Sequence, residues 1–341
     1  MTRRAVSLLT IALVTAGLLL VAPDVFLVIF AGILLAVLLQ GGGHAIARRL
    51  GVADGWGVGL FLLAVIVLLG GFGVAIAPTV STEVDELARR IPEAFEDFRR
   101  SIEDHAWGAR LSDRLTPGGL FSSEGQAAAA SAVTSTFGAL GNTIIILFIG
   151  LYGGLDPGTY KRGATALLAP SLRARAEEVL GDAGATLRNW LVAQLMAMTV
   201  VGVLTALGLW VAGVPLAFAL GLIAGLLAFI PNIGPVLAIA PALLLAMPEG
   251  QTTVLIVIAI YLVVQALESY IVTPLIQREK VSLQPALVIA VQLLFGVLFG
   301  IFGLALATPI AAVARTLVRE AYVADYLERE AIINRGECDR A

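Results

Sequence analysis

The chain has few of the side chains that soluble enzymes use for chemistry. It contains one cysteine, Cys338, and two histidines, so an internal disulfide is impossible and thiol or metal chemistry has little to work with. The sequence has no G-x-S-x-G and no H-E-x-x-H motif, and it has no phosphate-binding G-x-x-x-x-G-K-[ST] loop. These absences argue against an intramembrane hydrolase and against a chain that binds ATP by itself.

Charge is also scarce. Charged residues are 14% of the chain and hydrophobic residues are 59%, against about 25% and about 45–50% in soluble domains. The stretches 189–248 and 281–314 contain no Asp, Glu, Lys, Arg or His. Each exceeds the roughly 20 apolar residues that a membrane span needs, and backbone groups in lipid must be satisfied internally. The sequence therefore predicts an all-α polytopic integral membrane protein.

Hydropathy predicts about six full spans, near 5–22, 25–40, 56–77, 137–155, 191–212 and 252–273. The first could be mistaken for a secretory signal, but Pro23 follows its end directly, and we expect an uncleaved span. The glycines at 41–43 are expected to end the second span. Arginines at 3–4 and 48–49 place both ends of this pair of spans in the cytoplasm, because positive residues stay inside.

The segments between spans differ in character. Segment 78–136 is expected outside the membrane, where its apolar stripe would pack on a second helix or on a neighbouring subunit rather than on lipid. After the fourth span, Lys161, Arg162, Arg173 and Arg175 indicate the cytoplasmic side. Pro170 is expected to open an amphipathic helix on the cytoplasmic surface, separate from the span that begins at residue 191.

Two apolar stretches are interrupted. The stretch 216–247 is broken at 231–235, which leaves arms of about 22 Å in a core about 30 Å thick, so a re-entrant hairpin is predicted. The stretch 283–314 contains Gly296, Gly300 and Gly303 and could be a hairpin or one straight helix. The arginines that follow it favour a hairpin with a cytoplasmic C-terminus. A span followed by a broken hairpin thus occurs twice, and hydropathy suggests an inverted repeat of the kind that marks transporter sites.

The same stretches carry a resemblance to a known family. The matching sequences are Gly213-Val214-Pro215, 229–235 with Pro241, 265–268 leading to 273–275, 281–285, the glycines of 296–303, and 308–310, with Asp156 and Gln194 also fitting. In this order and spacing they resemble the AI-2E family of bacterial and archaeal transporters. The chain departs from the family at Glu268-Ser269-Tyr270, where Glu-Gly-Asn is usual, and it lacks a histidine pair.

The resemblance implies a transporter. Family members are similar to exporters of the signal autoinducer-2 or to sodium/proton antiporters, so the family leaves the cargo open. We expect a small-molecule or ion substrate, the lipid bilayer and further copies of the chain as partners, with no nucleic acid, cofactor or metal. The expected parts are 1–77, N-terminal spans; 78–136, external helical segment; 137–190, a span and a cytoplasmic helix; 191–314, transport core; and 315–341, cytoplasmic tail.

Glu268 is the strongest candidate for a working residue. An ionisable side chain within a span is costly, so it usually faces a cavity and serves function. The competing interpretation is an interfacial residue paired with Arg278 or Lys280. Gln265 lies one turn away on the same helical face and either shares a ligand or makes an interhelical hydrogen bond.

The breaks supply the other candidates. Asn232 lies at the first hairpin tip, where it would either form the turn or cap the helix that follows and favour an anionic or oxygen-rich group. Gly234 and Gly300 would let the backbone approach a substrate, and close helix packing explains glycine equally well. A secondary transporter is the leading hypothesis, with an intramembrane enzyme and a structural membrane scaffold as rivals.

Overall fold

The computed structural model describes residues 21–67, 141–272 and 284–321, together with Gly17, Gly70 and Gly71. Within these ranges every regular element is helical, which confirms the all-α prediction. We number the helices in chain order: α1 Pro23–Leu50, α2 Asp54–Val67, α3 Gly141–Leu155, α4 Pro157–Ala166, α5 Pro170–Val211, α6 Ala217–Leu227, α7 Ile233–Ala246, α8 Gln251–Leu267 and α9 Pro285–Leu317. A π-helical turn, Glu268–Val272, continues α8.

By length and apolar composition alone, four helical stretches in the described part could cross a membrane: Asp24–Leu50, Pro170–Val211, Gln251–Ile271 and Ala286–Ala321, the last of which is interrupted at Gly300. Four shorter apolar helices, α2, α3, α6 and α7, accompany them. The chain is therefore a polytopic membrane protein. The predicted span 5–22 lies almost wholly outside the described residues, as does the external segment 78–136.

Helix α1 does not end at the three glycines, so that prediction is wrong. It continues to Leu50 and ends where Gly51 takes the left-handed conformation, with φ of 68°. A Cβ atom at Gly42 would collide with the ring of Phe61, and one at Gly43 would lie 2.7 Å from the backbone N of Val58. The glycines therefore serve close packing of α2 against α1 and do not break the helix.

The expected surface helix and the fifth span are also one element, which corrects their separation at residue 191. Helix α5 runs without interruption through 42 residues. No proline occurs between its first residue, Pro170, and Pro215, so nothing in the sequence forces a break. The helix ends at Val211, the chain then turns at Gly213, which has φ of 72°, and the N–H of Val214 donates to the Leu209 carbonyl at 2.9 Å.

The chain forms two compact units. The first contains residues 1–65, 143–192 and 279–341, and the second contains 66–142 and 193–278. In the first unit α9 packs against α1. Helix α3 also lies close to α1, as shown by the 3.0 Å that would separate a Cβ atom at Gly153 from the Cβ of Ala36. The boundary between the units falls within α5, after Val192.

The second unit is built on close contact between the second half of α5 and α6. Gly202 and Ala206 of α5 face Gly221 and Gly225 of α6, and a Cβ at Gly225 would lie 3.1 Å from the Gly202 Cα. Small residues four apart let two backbones approach where lipid gives helices no hydrophobic reason to associate. The core beside this contact is made of side chains from α5 to α8, including Leu209, Leu220, Ala242, Val257 and Tyr261.

Candidate functional site

The break at 231–235 forms a helical hairpin, as predicted. Helices α6 and α7 pack against each other and are joined by residues 228–232. Asn232 has φ of 67° and ψ of −42°, and the Ile233 N–H donates to the Pro231 carbonyl across it, so Asn232 is the centre of a strained γ-turn. This conformation supports the turn-forming role for Asn232.

The side chain of Asn232 does not cap α7, so that alternative is wrong. The first N–H groups of α7 already have main-chain acceptors. The N–H of Ile233 donates to the Pro231 carbonyl at 2.8 Å, and that of Gly234 donates to Ile230 at 2.9 Å. The next residue, Pro235, has no N–H. The start of α7 therefore offers few donors to an anionic ligand.

Gly234 has a steric role at this tip. It is buried, and a Cβ atom there would collide with the carbonyl oxygen of Leu227, the last residue of α6. Only glycine lets the two arms come this close. Close packing, which the sequence left open beside backbone contact with a substrate, is sufficient to explain Gly234.

A buried glutamine ties the tip to α5. The Gln194 amide Nε2 donates to the carbonyl oxygen of Ala228 at 2.6 Å, and Gln194 is only 8% exposed. Ala228 caps the C-terminal end of α6, directly after its last residue, Leu227. This bond joins the first hairpin to the preceding helix within the second unit.

The stretch 283–314 is also a hairpin, which decides between the two alternatives. Gly300 has φ of 63° and ψ of −151°, a conformation essentially restricted to glycine. A Cβ at Gly296 would lie 3.3 Å from Leu304, and Gln292 Nε2 lies 3.4 Å from Thr308 Oγ1. Gly300 lies midway between the members of each pair, so the arms run antiparallel and Gly300 is the point of reversal.

Gln265 and Glu268 form the polar pair expected on α8. The Gln265 amide Nε2 donates to Glu268 Oε2 at 3.0 Å and approaches Ser269 Oγ at 3.4 Å. Both members of the pair are half-buried. The pair sits where the α-helix becomes a π-helical turn, Glu268–Val272, an irregularity that is frequent at functional sites.

The position of Glu268 along the span limits its depth. It lies 17 residues after Gln251, or about 25 Å along the helix at 1.5 Å per residue. The apolar span itself continues to Ile271. Glu268 therefore lies near one end of the span. The possible partners Arg278 and Lys280 fall outside the described residues.

Asp156 serves the local structure. Its carboxylate accepts hydrogen bonds from the Thr159 hydroxyl at 2.6 Å and from the Thr159 N–H at 3.1 Å, so it caps the start of α4. These bonds lower the pKa of Asp156 below its usual 3.8. The structure thus places Asp156 at the N-terminal end of α4, directly before its first residue.

The candidates fall into separate places. Gln265 and Glu268 are in direct contact, and Asn232 and Gly234 lie together at the first hairpin tip. Gly300 belongs to the other compact unit. Among the described residues, no group of three or more His, Cys, Asp or Glu side chains is arranged to hold a metal ion.

Gln194 is the residue that the site candidates missed, and the sequence contains a signal for it. Residues 190–194 read Trp-Leu-Val-Ala-Gln and residues 261–265 read Tyr-Leu-Val-Val-Gln. The second arms of the hairpins match similarly, with Leu-Ala-Ile-Ala-Pro at 237–241 and Leu-Ala-Leu-Ala-Thr-Pro at 304–309. These short identities place Gln194 opposite Gln265 in the predicted repeat, and the repeat itself stays a prediction.

Apolar spans, two helical hairpins and a polar pair with one ionisable member at the end of a span define a polytopic helical membrane protein with the construction of a transporter. Residues 8–322 match the sequence model of the AI-2E family transporters, and the chain belongs to that family. It is a membrane transporter by family.

Curated relatives agree with this assignment. The proposed transport protein YrrI of Bacillus subtilis is 26% identical over 272 residues, covering 75% of this chain and 76% of its own. YueF of the same organism, also named as a proposed transport protein, is 25% identical, with 75% and 73% covered. The proposed transport protein MT0215 of Mycobacterium tuberculosis is 29% identical, with 79% and 73% covered.

Proposed function

We propose that the protein is a secondary transporter of the cytoplasmic membrane, which exports a small solute or exchanges ions by alternating access. The observation that supports this most is the hydrogen-bonded pair of Gln265 and Glu268 at a π-helical turn in a span. A carboxylate beside an amide can hold a proton or a cation, and the amide can add a ligand oxygen. Competition between proton and cation would couple a gradient to transport.

The test is transport by Glu268→Gln protein reconstituted in liposomes. This change keeps the shape of the side chain and removes its charge, so folding and insertion should survive. We expect flux to be lost, or to lose its dependence on pH or sodium. Glu249→Gln is the matched control, because Glu249 is exposed in the turn that precedes α8, at the other end of that helix. Unchanged, still pH-dependent flux in the Glu268→Gln protein would reduce Glu268 to an interfacial residue.

The same liposomes distinguish the alternatives. A sodium/proton antiporter changes the internal pH when sodium is added outside, in the absence of any solute. A solute exporter moves labelled solute under a proton or sodium gradient, so a panel of candidate solutes identifies the cargo class. A structural scaffold gives neither signal with any member of the panel.

Orientation and assembly belong to the same proposal. We propose cytoplasmic N- and C-termini and a homo-oligomer. Cys338 is the only cysteine, so a Cys338→Ser background allows single-cysteine labelling. A cysteine in place of Arg49, which is exposed at the end of α1, should react only from the cytoplasmic side. A cysteine in place of Glu96 should react only from outside, and labelling of position 96 from inside alone would overturn this topology.

A further inference from the structure

In the first hairpin, the backbone of the hairpin itself does not readily supply a hydrogen-bond donor to the carbonyl oxygen of Ala228. Ala228 is the C-terminal cap of α6, and the carbonyls at the end of a helix lack partners within that helix. A tightening turn would use the N–H of the residue three positions later, but that residue is Pro231, which has no N–H. In a membrane no water is reliably present to replace it, so the carbonyl needs a donor from another element.

Gln194 supplies that donor from α5. Its amide is buried and donates to the Ala228 oxygen at 2.6 Å, a short distance for a neutral amide donor. The bond lies next to the contact in which Gly202 of α5 meets Gly225 of α6. Small residues thus bring the backbones together, and the amide then fixes the end of α6 where the chain turns.

The matching stretches 190–194 and 261–265 each end in a glutamine, and the two glutamines make different hydrogen bonds. Gln265 donates to Glu268, three residues later. The residue three positions after Gln194 is Ala197, which has no side-chain acceptor. The second hairpin turns on Gly300 and has no proline in 299–303, so it has no equivalent missing N–H. The amides at these two matching positions therefore have different acceptors, and the bond from Gln194 to Ala228 is particular to the first hairpin.

We infer that Gln194 is a positioning residue that holds the tip of the first hairpin against α5, and that its bond to Ala228 must hold for the tip to stay closed. Its consequence for transport rests on the proposed function, because a hairpin that opens too readily would uncouple alternating access. The contact itself can be measured without any transport assay.

The experiment is amide hydrogen exchange of the peptide covering 228–235 in detergent-solubilised protein, compared with the 251–260 peptide of α8 as an internal reference. The Gln194→Met protein keeps the length and apolar stem and loses the donor. Loss of one buried hydrogen bond should make exchange at the tip about tenfold faster, with the reference peptide unchanged. Thr199→Val is the control, because the Thr199 hydroxyl bonds only to the Leu195 carbonyl of its own helix among the contacts described.

The Gln194→Glu protein separates a hydrogen-bond donor from a general packing role. A protonated carboxyl can donate to Ala228 as the amide does, and a carboxylate cannot. Because burial at this position disfavours the charged carboxylate, tip exchange, corrected for the intrinsic effect of pH, should lie near wild type at about pH 5 and rise as the pH increases to about 8. The inference is overturned if Gln194→Met leaves tip exchange at the wild-type value, or if Gln194→Glu already matches Gln194→Met at the lowest pH. Defective transport with unaltered tip exchange would also overturn the inference. Altered tip exchange in proteins that show no transport in any variant would contradict the proposed function and leave the inference standing.

Discussion

Gln292 and Thr308 are 16 residues apart in the chain, yet Gln292 Nε2 lies 3.4 Å from Thr308 Oγ1. In a straight helix this separation along the axis would be about 24 Å. Both side chains are buried, so two polar groups that would be costly in lipid are placed against each other. The reversal that makes this possible depends on the backbone of Gly300.

The first prediction concerns Gly300. Its φ of 63° and ψ of −151° are strained for any residue with a Cβ, although no atom lies within 4 Å of where that Cβ would be. Gly300→Ala should therefore destabilise the protein by about 1–3 kcal/mol, measured as a lower apparent melting temperature in detergent. Gly59→Ala is the control, since Gly59 also has open space but an ordinary helical conformation, and it should be neutral or slightly stabilising. Equal effects of the two changes would contradict the hairpin.

Gly234 gives a prediction of the opposite kind, based on space rather than conformation. A Cβ there would collide with the Leu227 carbonyl, and backbone cannot move aside as a side chain can. We expect Gly234→Ala to destabilise by about 1–3 kcal/mol whether or not any ligand is present. Gly208→Ala, whose Cβ would meet only the Ile260 side chain at 2.8 Å, should be milder. A Gly234→Ala protein with normal melting and altered transport would point to a ligand contact instead.

The sequence predicted the parts of the fold that depend on local pattern. Apolar length predicted membrane-spanning helices, and Pro231 marked the first reversal. Three glycines marked the second apolar stretch as interrupted but left a hairpin and a straight helix both open. The spacing of Gln265 and Glu268 placed both on one helical face. Prediction from the sequence failed where a residue acts through a partner that is distant along the chain. Glycines 41–43 resemble a helix end unless the approach of α2 is known, and Gln194 has no assigned partner until Ala228 is seen 34 residues later.

Thr205 carries a buried hydroxyl whose removal should not lower the stability of the protein. It is fully buried, and its Oγ1 has no hydrogen-bond partner within the part of the chain that the structure describes. Thr205→Val keeps the shape and removes the polar atom. Because an unsatisfied buried group costs about 1–3 kcal/mol, the melting temperature should stay the same or rise. A clear fall in melting temperature would show that the hydroxyl has a partner after all.

Acid should weaken the start of α4. The pKa of Asp156 is lowered by its bonds to Thr159, so its contribution to stability is complete above the ordinary value of 3.8 and is lost as pH falls through the lower folded value. The melting temperatures of wild type and Asp156→Ala should differ near neutral pH and converge on acidification. Asp182→Ala, an exposed change on α5, is the comparison. A difference that stays constant with pH would exclude the charged cap as its cause.

The last prediction tests where the second hairpin ends. Arg175, near the start of α5, reaches Glu320 just beyond α9, with Arg175 Nη2 at 3.2 Å from Glu320 Oε2. This pair requires the end of the second arm to return to the side on which α5 begins. Arg175 also contacts Glu178 at 3.1 Å, so the measurement is best made with Glu178→Gln in every protein.

In that background, Arg175→Glu and Glu320→Arg should each lower the melting temperature, and the two changes together should restore part of the loss. The coupling should be about 0.2–1 kcal/mol, because Arg175 and Glu320 are 36% and 28% exposed and surface pairs are weak. It should also shrink at high salt, since screening acts on exposed charges. If the double change is merely the sum of the single ones at low salt, the charges do not meet, and the return of the second arm to α5 would have to be withdrawn.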